Sequence, residues 1–258
     1  MSRPPRDRDE PAPDDDEPAL GRAPSRAVTP RSLGHDDDSV TAGAVAPVSS
    51  ASAQALATSL AEAFRDHVRR ALGFALDDTE TSLAFVDHYL RTARGTAKGP
   101  VAELIAAEAG AYYGELVRVL LGATWIGDGR DPATLRLLMA HQFLHFAPVD
   151  QAREVLRGDA TPDDDDDDAP PLDTTFHARP TPMPPLADEA PPPDDSSWLV
   201  ERLASLPEVG AAEYYTMTCR FETLQLVLEL LATKHLGEGR EPRLYTVDDY
   251  VDVISGRS

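Results

Sequence analysis

The stretch GPVAELIAAEAGAYYGELVRVLLG, Gly99 to Gly122, limits what this chain can fold into more than any other. Gly99-Pro100 predicts a helix start, because proline at the first helical position has no N–H to leave unpaired. One face carries Val101, Ile105, Tyr112, Leu116 and Val119; the opposite face carries Gly110, Gly114, Val117 and Leu121. A helix apolar on both sides is buried on both sides, so this one belongs at the centre of a fold. Two glycines four apart weaken a helix by ~1 kcal/mol each. The expected compensation is another element lying close against them.

The rest of the sequence has to supply the neighbours. Leu56, Leu60, Phe64, Val68 and Leu72 recur every fourth residue and predict an amphipathic helix stopped at Gly73. Asp78 or Thr79 caps a second, with the stripe Leu83, Val86, Leu90 and Ala93. After Gly122 the period changes. Ala123-Thr124-Trp125-Ile126 reads as a strand, Gly127-Asp128-Gly129 as a turn, and Leu135, Leu137 and Met139 as one face of a second strand. Residues 142–146 read as a third strand, and Pro148 opens a short helix with Val149, Ala152 and Leu156. Residues 51–157 are therefore expected to be α+β: three helices, a small antiparallel sheet and a closing helix.

Two stretches cannot join such a core. Residues 1–50 have almost no large apolar side chains, and residues 158–195 hold six consecutive aspartates (163–168) and many of the chain's 23 prolines. Such segments bury too little surface to offset the entropy of ordering them, so both are expected to be disordered, as a tail and an acidic linker. Residues 196–258 predict a helical block. Ser196 caps a helix with Trp198, Leu199 and Leu203, and a long helix runs from about 211 to 235. Its Tyr214, Met217, Phe221, Leu224, Leu228, Leu231 and His235 alternate spacings of three and four, a heptad seam. Leu226, Val227 and Leu230 widen the apolar surface, which predicts packing on the first block. Tyr214, Phe221, Leu224 and Leu228 are the candidate partner surface. Thr246 as cap, Asp249, and the pair Tyr245 and Tyr250 predict a last helix from Val247 to Ile254.

A formal charge of −21 argues against general affinity for nucleic acid or anionic membrane, since its field repels phosphate. It points to a basic protein partner or simply to solubility, and no basic patch with a motif around it is evident. The lone cysteine, Cys219, excludes an intrachain disulfide and falls among apolar residues as a small core hydrophobe. The absence of an apolar N-terminal run and of a ~20-residue apolar segment predicts a cytoplasmic protein.

Catalytic patterns are sparse. Glu108 and Glu115 lie seven apart beside one helix face, a spacing open to acid–base or metal chemistry. No Glu-x-x-His accompanies them, and pairing with Arg118 at the core border is the simpler expectation. His141 and His145 form His-x-x-x-His, but Gln142 stands where the metalloprotease pattern needs glutamate. They are expected to be strand histidines with satisfied nitrogens. These four are the candidate metal residues; no cofactor is expected.

The segments ETSLAFVDHYL, GAYYGELVRVLLGATW and PVDQAREVL, within about 79–157, carry a resemblance. Gly110-Ala111-Tyr112, Gly114-Glu115 and Gly122-Ala123-Thr124-Trp125 resemble an uncharacterised bacterial domain family. In it a Gly-Ala-Tyr helix runs into a Gly-x-x-Trp strand and a proline-started helix. Some such domains are encoded near toxin and immunity modules, which implies a protein-binding role. The expectation is thus a non-enzymatic interaction module, accessory or immunity-like. The alternatives are a metal-dependent hydrolase and a scaffold that oligomerises through the C-terminal helix.

Overall fold

A computed structural model describes residues 49–158, 171–179 and 194–254. Most of the expected 1–50 tail lies outside these residues. The long central helix, α3 (Pro100–Val117), is buried at every residue from 106 to 117. The close approach that its glycines require comes from two sides. A Cβ at Gly110 would lie 2.6 Å from Val149 Cα and 2.7 Å from the Pro148 carbonyl oxygen, both on α4 (Pro148–Arg157). A Cβ at Gly114 would lie 2.2 Å from the Trp125 ring. Beyond Val117 the helix widens into a π turn, Arg118–Gly122, rather than staying regular to Gly122.

Helix α1 (Ser50–Leu72) starts where the Ser49 side chain accepts the Ser52 N–H, and ends at Gly73 with φ +68°. Its buried face is Ala53, Ala57, Ala61, Phe64 and Val68. Only Phe64 and Val68 belong to the expected leucine stripe; Leu56, Leu60 and Leu72 lie half-buried at its margin. α1 packs chiefly along α3. A row of alanines lets two helix backbones come closer than leucines would. Helix α2 (Leu83–Ala93) buries Leu83, Val86 and Leu90 as its stripe predicts, after a short 3₁₀ turn at Glu80–Ser82.

Strands β1 (Ala123–Ile126), β2 (Arg136–Met139), β3 (Leu144–Phe146) and β4 (His177–Ala178) form an antiparallel sheet in chain order. Trp125 pairs with Leu137, Leu137 with Phe146, and His145 with His177. β4 corrects the disordered linker expected over 158–195. Residues 171–179 are held by Gln151 Nε2 donating to the Thr174 carbonyl (3.2 Å) and the Asp173 N–H donating to Asp150 (3.2 Å). Phe176 meets Phe146 edge to face at 5.2 Å. These few contacts, plus pairing with the otherwise bare edge of β3, anchor a stretch whose average composition is too polar to suggest it. Residues 159–170 and 180–193, including the aspartate run, lie outside the described residues.

Leu135, Leu137 and Met139 face the main core, as their alternation predicts. Ile126, Leu138, Phe143 and Tyr250 build a smaller cluster on the opposite face. Tyr250 belongs to α8 (Val247–Ile254). Its hydroxyl accepts the Leu144 N–H at 2.9 Å and donates to the Met139 carbonyl at 2.7 Å.

The C-terminal block packs on the first. α5 (Asp195–Ala204) is capped by Asp194, not Ser196, and the expected single helix over 211–235 is broken into α6 (Ala211–Tyr214) and α7 (Met217–Gly237). The break has two causes. Thr216 caps α7 by accepting the Cys219 N–H at 3.0 Å, and Asp87 of α2 accepts the Met217 N–H at 2.6 Å and the Thr218 hydroxyl at 2.5 Å. Burial raises the Asp87 carboxyl against these hydrogen bonds. Cys219 is half-buried on this first turn rather than in the core. The architecture is helix-rich α+β.

The contact of α3 with α4 makes a test. Alanine favours helix more than glycine, yet Gly110→Ala should lower stability by ~1–3 kcal/mol through overpacking against the α4 backbone. Urea denaturation measures this; an unchanged or raised midpoint would mean that α4 stands off from α3.

Candidate functional site

The structure separates the four candidate metal residues and gives the two glutamates different partners. Glu108, buried on α3, is bonded to His67 Nδ1 of α1 at 2.6 Å. Glu115 Oε1 accepts the Trp125 indole N–H at 2.6 Å and Gln54 Nε2 at 2.8 Å, and Arg118 donates to both carboxylate oxygens at 3.1 Å. Burial by itself would raise the Glu115 carboxyl; the hydrogen bonds from Arg118, Gln54 and Trp125 outweigh it and hold the group below the usual range. Pairing with Arg118 is as expected, but the tryptophan lies across the fold.

His141 is exposed on the β2–β3 connection rather than on a strand. His145 on β3 stacks on His177, ring centroids 4.9 Å apart, and its Nδ1 is buried with no hydrogen-bond partner among the described residues. That corrects the expectation of satisfied nitrogens: the ring is held by stacking and by Tyr250 on its other side. Among the described residues no group of three or more His, Cys, Asp or Glu is placed to hold a metal ion.

The candidate partner surface is corrected as well. Phe221 and Leu224 are 2% and 0% exposed, because α7 turns that stripe onto α2 and α4. Tyr214 sits on α6, off the seam, with the Arg220 guanidinium 4.3 Å from its ring centre. Tyr214 is 39% exposed, and Leu228 lines a concave surface together with His141.

That surface is a groove in two parts. An open cleft of ≈ 520 Å³ lies between the β2–β3 connection, the end of α7, the segment leading into α8, and Arg179 just after β4. His141, Arg179, His235, Arg240, Arg243 and Tyr245 give it its polar character; Glu241 is the one carboxylate among its described lining residues. The adjoining annex, ≈ 230 Å³, is walled by Leu121, Met139, Leu228 and Ala232, with Glu229 the carboxylate among its lining residues. His141, Gln142 and Ala232 line both parts.

Local interactions position each wall. The Tyr245 N–H donates to the Ala140 carbonyl at 2.8 Å, tying the segment before α8 to the β2–β3 connection. Arg243 pairs with Asp249 and lies over the Tyr245 ring at 4.5 Å. Arg240 reaches Glu238 at 2.8 Å and Asp195 at 3.7 Å. Asp195 also accepts from Lys234 at 2.5 Å and His235 at 3.1 Å. Burial would raise its carboxyl, but Lys234 and His235 hold it below the usual range. Arg179 lies over the Phe143 ring at 5.3 Å and has no carboxylate partner among the described residues.

Sequence reasoning missed this cluster because residues 179, 240 and 243 are cations remote from one another or separated by a glutamate and a proline. Only the sheet and α7 bring them together. The one local signal was Arg240-Glu241-Pro242-Arg243 directly after a glycine stop.

Two measurements follow. Glu115→Ala strips the acceptor from a buried indole N–H and from Gln54, and should cost about 2–3 kcal/mol. A variant as stable as the parent in urea would free Glu115 from its structural role. For His145, burial, with the neighbouring His177 adding to it, lowers the imidazole to about 4 from the ordinary 6.5. Between those values the unfolded chain takes a proton that the folded chain refuses. The stabilising contribution is present above pH 6.5 and lost as pH falls towards 4. Urea midpoints should fall through that window, and His145→Phe should flatten the fall; an identical slope in the variant would refute the assignment.

Compared with protein-family models, curated proteins and solved structures, the chain matches none of them.

Proposed function

We propose that this chain is a cytoplasmic, non-enzymatic protein-interaction module of an accessory or immunity-like kind, and that its partner seats in the groove beside α7. The observation that carries this reading is the groove's division into a cationic cleft and an apolar annex. Its volume is that of a ligand site, and such sites pair apolar walls with a few fixed polar groups. The walls are tied to the rest of the fold: Asp195 joins α5 to α7, and Tyr245 and Tyr250 join α8 and the segment before it to the sheet and its β2–β3 connection. Preorganised walls reduce the ordering cost of binding.

The resemblance of residues about 79–157 to domains encoded near toxin and immunity modules supports the same reading. The net charge of −21 disfavours nucleic acid. No helix among the described residues is long and apolar enough to cross a membrane.

Ala232 is exposed and lines both parts of the groove, so a tryptophan there fills it without touching the core. Lys98, exposed between α2 and α3, is the control position. Quantitative affinity purification should recover a protein with the parent chain and with Lys98→Trp, and lose it with Ala232→Trp. Equal recovery with all three would move the interaction elsewhere on the surface; recovery with none would remove the reading.

A further inference from the structure

The groove holds the minority charge of this chain. Asp and Glu number 45 against 24 Lys and Arg, yet the two parts of the groove together are lined by three arginines and two histidines against two glutamates, Glu241 and Glu229. Arg240 and Arg243 are about half exposed, 50% and 49%, while Arg240 meets two carboxylates of this chain, Glu238 and Asp195, and Arg243 meets one, Asp249. A guanidinium has five N–H donors in a planar fork, so one carboxylate does not exhaust it. Arg179 has no such partner among the described residues. Its guanidinium lies over the Phe143 ring, which leaves the edge of the planar fork open to hydrogen bonding.

The second half of the groove restricts the ligand further. The annex of ≈ 230 Å³ has room for one large side chain and not for a long acyl tail. Gln142 lines both parts, and its Oε1 has no hydrogen-bond partner among the described residues. Resting on the interaction reading above, we propose that the groove binds an acidic peptide segment of a partner protein. One leucine- or phenylalanine-sized side chain enters the annex, and flanking carboxylates meet Arg179, Arg240 and Arg243. This reverses the charge expected of the partner from net charge alone. The excess of acids over the chain as a whole disfavours an acidic segment, so binding depends on the arginines gathered here.

The test uses the full chain and fluorescein-labelled synthetic peptides, read by anisotropy. The probe alternates aspartate and glutamate around one central leucine. The comparison peptides replace the leucine by alanine, or every acid by lysine. The acidic leucine peptide should bind, lose affinity about tenfold on Leu→Ala, and weaken as salt is raised. Arg179→Glu should weaken it tenfold or more, and Ala232→Trp should abolish binding, with both variants unfolding in urea at the parent's midpoint. Four results would overturn the proposal. The lysine peptide could bind as well as the acidic one. Inorganic phosphate or decanoate could displace the peptide at equal concentration. Sedimentation could show a dimer that Ala232→Trp dissociates, assigning the groove to a second copy. Changing Asp188 and Glu189 to Asn and Gln could tighten peptide binding tenfold, assigning it to the chain's own acidic residues. If Ala232→Trp removes a cellular partner but no acidic peptide binds, the interaction reading stands and this inference falls. If neither effect occurs, both fall.

Discussion

Helix α3 has no solvent face along two-thirds of its length, and the rest of the molecule is arranged around that fact. A helix buried all round needs neighbours on every side, and α1, α4 and Trp125 provide them. The two glycines fix how close those neighbours come. Gly110 admits the backbone of α4 and Gly114 admits the ring of Trp125, at distances where no Cβ would fit. Once the ring is there, its indole N–H is buried and needs an acceptor. Glu115, one residue after Gly114, supplies it. Packing and polar satisfaction are therefore set by adjacent positions on one helix, and together they fix where β1, and hence the whole sheet, lies.

With the sheet placed, its second face needs cover, and α8 provides it through Tyr250, with Val247 and Val253 beside it. Tyr250 buries its ring against Phe143 and closes the β2–β3 turn with its hydroxyl, so one residue supplies apolar contact and backbone hydrogen bonds at once. The approach to α8 passes Arg240, Arg243 and Tyr245 along the β2–β3 connection. The groove is thus a by-product of covering the sheet: its walls are elements already required by the fold. The same economy applies at the start of α7, where a buried aspartate of α2 accepts the first free N–H groups of the helix. That contact joins the two halves of the chain through a group whose burial is tolerated only because it is hydrogen-bonded.

The sequence by itself determined the local periods. The both-sided apolar pattern of α3 placed it at the centre. The alternation of Leu135, Leu137 and Met139 placed one face of β2, and the pair Tyr245 and Tyr250 marked the last helix. These are legible because period and capping depend on near neighbours along the chain. Tertiary structure alone decided which stripe of α1 is buried, since the alanines win only when α3 is close enough to reward small side chains. It decided that residues 171–179 join the sheet, because their order depends on the open edge of β3 and on Gln151 and Asp150. It turned Phe221 and Leu224 inward. It also assembled the groove. His141 and Leu228 were both visible as candidates, but for unrelated reasons; Arg240 and Arg243 left only a short local signal after a glycine stop, and nothing in the sequence linked them to Arg179. A site drawn from a strand end, a helix end and a connecting segment has no sequence period, because the distances that define it are set by packing between elements and not by spacing within one.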